Sequence, residues 1–294
     1  MKTVFVIGSG TMGRGIAQMA AQAKYEVYLS DIQLDIVKRN MDIVEAGLQR
    51  QIEKGKITKG EVGDILGRIQ MVQNLENLEK ADYVIEAVLE DVALKREIFK
   101  EADRKAKPEA ILASNTTSCS ITEIASAVAA PERVIGMHFF NPPVVMQLVE
   151  LMPGILSSRR TVEKAKEFVV SLGKETVTTK KEGPAGVTSR ILAGLLNEAI
   201  WVLQEGIASV EAIDRAMVLG CNHKMGPFAL IDLIGVDIHF AKTQMLYKKT
   251  GDARYRPCYL LEQMMAAGLL GKKSGRGFYD YSKDPVVPTA FFDK

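Results

Sequence analysis

A chain of 294 residues, 47% apolar and 25% charged, has ordinary globular composition and the length for one large domain plus a smaller one. Its 38 basic and 36 acidic residues leave a net charge of only +2, which excludes the basic surface of a nucleic-acid binder. No run approaches the roughly 18 consecutive apolar residues of a membrane span, and strand-like sequence begins at Thr3, leaving no room for a signal peptide ahead of the fold, so a cytoplasmic protein is expected.

The first element, TVFVIG, is a β-branched apolar run of strand length, and the residues after Gly13 have helical period. Between them lies Gly8-Ser9-Gly10-Thr11-Met12-Gly13, with the three glycines in G-x-G-x-x-G spacing. At a strand-to-helix turn that spacing lets backbone approach a pyrophosphate, whose charge meets the N–H groups of the helix start. The second strand, EVYLSD, ends in Asp31, 18 residues after Gly13, where a carboxylate accepts hydrogen bonds from the adenosine ribose. No basic residue follows until Lys38, and a carboxylate would repel a 2′-phosphate. NAD is therefore favoured over NADP, with FAD the other ligand of this fingerprint.

Residues 33–77 read as a helical insertion: LDIVKRNMDIVEAGLQRQIEKGK has helical period, and four glycines punctuate its end and the residues up to Gly67. Strand-like runs then resume in ADYVIEAV, AILASNTT, RVIGMHFF, MQLVELM and ETVTT, and their alternation with helical stretches indicates βαβ units. SNTTSCSITEIA, at 114–125, leaves a strand, so Asn115 and its neighbouring hydroxyls lie at the ligand-binding rim of an open α/β sheet. The same stretch also reads as a polar loop in which Ser120 or Thr122 caps the next helix. His138, near the end of RVIGMHFF, shares that rim. Asn-Pro-Pro then forces a turn, so that Glu150, twelve residues on, returns beside the imidazole. A carboxylate on one ring nitrogen fixes the tautomer and stabilises the cation, leaving the other nitrogen to exchange a proton with an alcohol. That is the requirement of a dehydrogenase, in which hydride leaves the same carbon.

EGPAG, at 182–186, breaks the alternation, and GVTSRILAGLLNEAIWVLQEGI opens a helical region. Its expected buried side carries Ile191, Leu195, Ala199 and Val202. The reading is a Rossmann-type doubly wound α/β domain over residues 1–184 with a helical insertion, then a smaller all-α domain over 185–294. The tail KDPVVPTAFFDK has too many breakers for an assignment. Cys119, Cys221 and Cys258 form neither a disulfide framework nor a metal-binding pattern and read as reduced thiols in packing roles.

GSGTMGRGIAQ, SNTTSCSITEIA, HFFNPPVVMQLVE, MGPFALIDLIGVDI and GKKSGRGFYDY, in that order, resemble the NAD-dependent L-3-hydroxyacyl-CoA dehydrogenases, most of all the short-chain bacterial 3-hydroxybutyryl-CoA enzymes. The resemblance spans nearly the whole chain. It implies NAD as cofactor, an acyl-CoA substrate and a homodimer formed through the helical domain. By position it makes His138 the general base, Glu150 its orienting partner, and Thr117 the hydroxyl that meets the substrate oxygen. It places Glu90, Lys95, Asn141 and Lys273 at the NAD, beside Asn115 of the rim, and Lys54 at the CoA phosphates. Where the family has P-G-F-x-x-N-R, this chain has PAGVTSR, so Ser189 stands for a substrate-binding Asn; Thr117 stands for a serine, and Pro143 and Gln147 also depart. The expected reaction interconverts a (3S)-3-hydroxyacyl-CoA and the 3-ketoacyl-CoA. The alternatives are a dehydrogenase of free 3-hydroxy or sugar acids and a non-catalytic NAD-binding homologue.

Overall fold

The computed structural model describes residues 2–290, and the chain divides into two compact units between Gly186 and Val187. The first unit is built on eight strands: β1 Thr3–Ile7, β2 Glu26–Asp31, β3 Ile69–Gln73, β4 Tyr83–Glu86, β5 Ile111–Ser114, β6 Val134–Phe139, β7 Leu148–Pro153 and β8 Glu175–Thr178. Their order in the sheet is β3-β2-β1-β4-β5-β6-β7-β8. The first six strands are parallel, β7 runs antiparallel to β6, and β8 follows β7 in parallel. Because β1 is flanked by β2 and β4, the strand order reverses there, and the crevice at the carboxyl ends of β1 and β4 is where such sheets bind ligands.

Period-2 alternation gives the sheet two apolar faces. Val4 and Val6 pack with Ile16 and Ala20 of α1 (Thr11–Gln22), Val44 and Leu48 of α2 (Leu34–Glu53) and Phe168 of α6 (Arg159–Ser171). Phe5 and Ile7 face the other way, toward Phe99 of α4 (Val92–Lys105) and Ile124 of α5 (Ile121–Ala125). The inserted region differs from its sequence reading. After α2 comes α3 (Lys59–Gly67), opened by a capping box between Thr58 and Glu61, and the chain then forms edge strand β3. Only Ile69 and Val72 of β3 are buried, so its sequence lacks the alternation that would reveal it.

The second unit consists of α7 (Thr188–Gln204), α8 (Val210–Cys221), α9 (Pro227–Ile234), α10 (Val236–Thr250), α11 (Tyr259–Ala266) and a ribbon in which β9 (Tyr279–Asp280) pairs with β10 (Val287–Pro288). It is helical apart from this ribbon. β10 lies in the tail left unassigned from sequence, of which residues 291–294 lie outside the described residues. On α7 the buried side carries Ala193, Leu196, Asn197, Ala199 and Ile200, while Ile191 is 66% exposed, so the expected stripe is rotated. Apolar residues surround most of this helix, and period alone does not select a face.

Two buried carboxylates clasp the unit together. Asp214 accepts the N–H groups of Phe228 and Ala229 at the start of α9 and the Tyr279 hydroxyl at 3.0 Å. Asp232 accepts the N–H groups of Phe278 and Tyr279, both at 2.9 Å, and the Tyr281 hydroxyl at 3.2 Å. Any side chain on Gly277 would strike Asp232, which accounts for the second glycine in GRGFYDY. Burial pushes the Asp232 carboxyl up to about 6, with Asp214 adding like-charge repulsion, against the opposing pull of these hydrogen bonds. Cys258 is buried as a packing residue and Cys119 half-buried, whereas Cys221 is exposed, contrary to its expected packing role.

Candidate active site

The nucleotide loop has the shape its glycines require. Gly8 has φ of +96°, and a side chain there would lie 2.7 Å from the carbonyl oxygen of Ala87, at the end of β4. One on Gly13 would strike the Gly8 carbonyl, so α1 sits directly against the end of β1. Gly10 has nothing within 4 Å of where a side chain would start, and the α1 N-terminus has no side-chain cap. Open space and N–H groups thus meet at the position of a pyrophosphate, with Thr11 and Met12 in the first turn.

Asp31, at the end of β2, anchors this loop. Its Oδ2 accepts the Ser9 N–H at 2.9 Å and the Ser9 hydroxyl at 2.7 Å, and Oδ1 accepts the Ile32 N–H. Asn40 donates to Ser9 Oγ and accepts from Arg14 at 2.7 Å. Arg14 is a cation that a scan forward from Asp31 does not meet. The loop, its acid and the bare helix start fit a dinucleotide.

His138 and Glu150 are register partners across the antiparallel β6–β7 pair. Nδ1 of His138 lies 3.3 Å from Glu150 Oε2, and Nε2 lies 3.0 Å from Thr117 Oγ1. Glu150 is fully buried and His138 is 6% exposed. The carboxylate therefore acts on the ring without competition from bulk water, keeps the proton on Nδ1, and leaves Nε2 of the neutral ring as acceptor. Gly186 fits against Glu150 Oε2 with no room for a side chain. Beyond β6 the exposed Asn141 precedes a cis bond to Pro142, and buried Pro143 packs so closely on α1 that Gly15 there admits no side chain. The turn after β6 thus rests on α1.

Thr117 is held by a network that spans two sheet connections, the one after β4 and the one after β5. Oε1 of Glu90 accepts the hydroxyls of Thr116 and Ser118 and the N–H groups of Thr117 and Ser118, at 2.6 to 2.9 Å. Lys95, fully buried in α4, places its ammonium 3.4 Å from Glu90 and 2.7 Å from Glu86. Partial desolvation would raise the Glu90 carboxyl, but the Thr116 hydroxyl, the Lys95 charge and the Ser118 donors outweigh it and hold it below its ordinary range. Asn115 is stapled at both ends: its N–H donates to the Glu86 carbonyl at 2.8 Å, and its Oδ1 accepts the Phe139 N–H at 2.9 Å. Ser120 does cap α5, accepting the Glu123 N–H. The capping and rim readings of this stretch therefore hold together.

Sequence reasoning did not single out Glu86, Thr116 or Ser118. Glu86 carried a signal, an acid inside the apolar run YVIEAV, which is costly unless paired. Lys54 is exposed at the C-terminal end of α2, one turn after Arg50. Ser189 and Lys273 belong to the second unit. Ser189 is buried in the first turn of α7, and Lys273 pairs with Asp237 at the start of α10 at 2.5 Å. Among the described residues no group of His, Cys, Asp and Glu side chains is placed to hold a metal, and no helix is long and apolar enough to cross a membrane.

Comparison with known proteins agrees with this geometry over almost the full chain. The family model for the 3-hydroxyacyl-CoA dehydrogenase NAD binding domain matches residues 3–182, and that for the C-terminal domain matches 187–281. A 3-hydroxybutyryl-CoA dehydrogenase of Bradyrhizobium diazoefficiens is 46% identical over 289 residues, 98% of each chain. The human mitochondrial hydroxyacyl-coenzyme A dehydrogenase is 37% identical, over 96% of this chain and 91% of that one. The crystal structure of an (S)-3-hydroxybutyryl-CoA dehydrogenase from Ralstonia eutropha matches with a TM-score of 0.93 and 44% identity, covering 96% of this chain and all of that one. Two family models that together match nearly the whole chain, the first of them over the dinucleotide loop closed by Asp31 and the histidine–glutamate pair on neighbouring strands, make this chain a member of the 3-hydroxyacyl-CoA dehydrogenase family, with that family's NAD-binding domain in its first unit.

Proposed function

We propose that this protein interconverts (3S)-3-hydroxyacyl-CoA and 3-ketoacyl-CoA with NAD(H), acting on short acyl chains such as the 3-hydroxybutyryl/acetoacetyl pair. The observation that carries the proposal is the buried hydrogen-bonded pair of His138 and Glu150, with Nε2 of His138 at the carboxyl-end rim of the sheet. The dinucleotide, when bound, supplies hydride to C3 or takes it away. In the oxidation direction neutral His138 draws the hydroxyl proton onto Nε2 while Glu150 stabilises the imidazolium that forms. In reduction the imidazolium returns that proton to the developing alkoxide. Thr117, already within hydrogen-bond distance of Nε2, orients the same oxygen.

Ser189 is assigned to the substrate, where its hydroxyl replaces a longer amide. Lys54 is assigned to the CoA phosphates as a point charge at the end of α2. Glu90, Lys95, Asn115, Asn141 and Lys273 are assigned to the surroundings of the NAD. The short-chain assignment draws on the relatives' names. A homodimer through the second unit is supported by its exposed apolar side chains, among them Leu219, Leu233 and Tyr259. The near-neutral charge and the free cysteines, with Cys221 exposed, support a reducing, cytoplasmic location.

The test is NADH consumption with acetoacetyl-CoA and with free acetoacetate. Turnover of the thioester at least ~10²-fold more efficient than that of the free acid is expected, since a thioester site draws binding energy from the CoA. Equal turnover would point to a free-acid dehydrogenase. NADH binding without turnover of either would point to a non-catalytic homologue.

A further inference from the structure

Glu90 lies in an exposed connection between β4 and α4, next to Leu89, which is 78% exposed. Such a segment has no core of its own to fix it. Yet its carboxylate is among the most heavily hydrogen-bonded groups in the first unit, with four donors from Thr116, Thr117 and Ser118 meeting at one oxygen. Remove that oxygen and two N–H groups and two hydroxyls would point at one another, so the loop would have to open. The same loop carries Thr117 Oγ1, 3.0 Å from the catalytic ring.

What fixes Glu90 is found one step further in. Lys95 has no exposed surface, and its ammonium lies between Glu86 and Glu90. Glu86, equally buried, is itself held by the Val88 N–H at 2.7 Å and the Ser114 hydroxyl at 2.6 Å. The chain of contacts therefore runs from the ends of β4 and β5, through α4, to the loop after β5. Two carboxylates share one ammonium. Held between two carboxylates, the Lys95 ammonium fixes the position of both.

We propose that Glu86, Lys95 and Glu90 form a positioning relay that holds Thr117 against His138, with Glu90 as the member that reaches the loop. None of the three touches the reacting atoms. Each acts through the next, and the output is the Thr117–His138 distance. The proposal rests on the reading of His138 and Thr117 as proton-transfer and substrate-orienting groups.

A double-mutant cycle separates this role from a merely structural one. The rates are kcat for acetoacetyl-CoA reduction at saturating NADH in wild type, Glu90→Gln, Thr117→Ala and the double variant. Wild-type turnover tests the functional reading by itself, and the relay is judged only on ratios to wild type. Each single variant is expected to lose roughly tenfold or more in kcat, the scale of one organised hydrogen bond. The double variant is expected to fall no further than the worse single, within about twofold. Losses that multiply overturn the relay. Glu90→Asp serves as a second variant. It keeps the charge beside Lys95 but withdraws the oxygen by one methylene, so a kcat loss like that of Glu90→Gln supports the relay, and a wild-type rate overturns it.

Discussion

Replacing Glu150 by glutamine removes a charge while keeping the shape of the site. The carboxylate is fully buried, with Oε2 3.3 Å from His138 Nδ1. Opposite unit charges about 4 Å apart at an effective dielectric of about 20 attract by about 4 kcal/mol. The glutamine oxygen still accepts the Nδ1–H, so roughly half of that stabilisation of the imidazolium is lost, about 2 to 3 kcal/mol, or on the order of 10²-fold in rate at neutral pH. The assay is kcat for acetoacetyl-CoA reduction between pH 5.5 and 8.5, with NADH affinity and the thermal midpoint measured on the same preparation. A variant that stays folded, binds NADH and keeps its rate within threefold of wild type across that range would refute the electrostatic role assigned to Glu150.

Asp31→Asn removes the charge assigned to the ribose while keeping an oxygen for Ser9. A carboxylate and a phosphate dianion about 5 Å apart at a partly wet site repel by on the order of 2 kcal/mol. The ratio of kcat/KM for NADH over NADPH should therefore fall at least about tenfold, and an unchanged ratio would show that Asp31 does not set the preference. His239 in α10 is buried, its Nε2 has no hydrogen-bond partner, and burial, reinforced by the nearby Lys242 charge, pushes it down to about 3. Its folded value lies below its unfolded one, so between about 6.5 and 3 the unfolded chain binds a proton that the native one refuses, and stability falls as pH falls. His239→Leu should reduce this acid sensitivity by about 1.4 kcal/mol per pH unit below pH 6.5, read from denaturant midpoints. Parallel pH dependences in variant and wild type would contradict it.

What could be read from the sequence depended on whether the physical signal was local. The glycine loop, Asp31 and α1 are consecutive, and each residue type answers a steric or electrostatic demand of its own turn. The His138–Glu150 pairing was also legible, because two prolines force the reversal and an even separation keeps both side chains on one face of an antiparallel pair. The relay was not. Glu86 and Lys95 are nine residues apart across a strand–loop–helix junction, and Ser114 and Thr116 come from the next βα unit. No period connects them; only the adjacency of β4 and β5 does. β3 and the buried face of α7 escaped for different reasons, one because a short edge strand buries just two side chains, the other because its helix is apolar nearly all round.

The account depends above all on His138 as the group that moves the proton, and His138→Ala in single-turnover reduction of acetoacetyl-CoA by NADH tests this most directly. Positioned acid–base catalysis contributes about 10²- to 10⁴-fold. The expected result is a hydride-transfer rate at least ~10²-fold below wild type, with NADH and acetoacetyl-CoA affinities within about threefold. A variant that transfers hydride within tenfold of wild type would contradict the assignment and place the proton donor elsewhere.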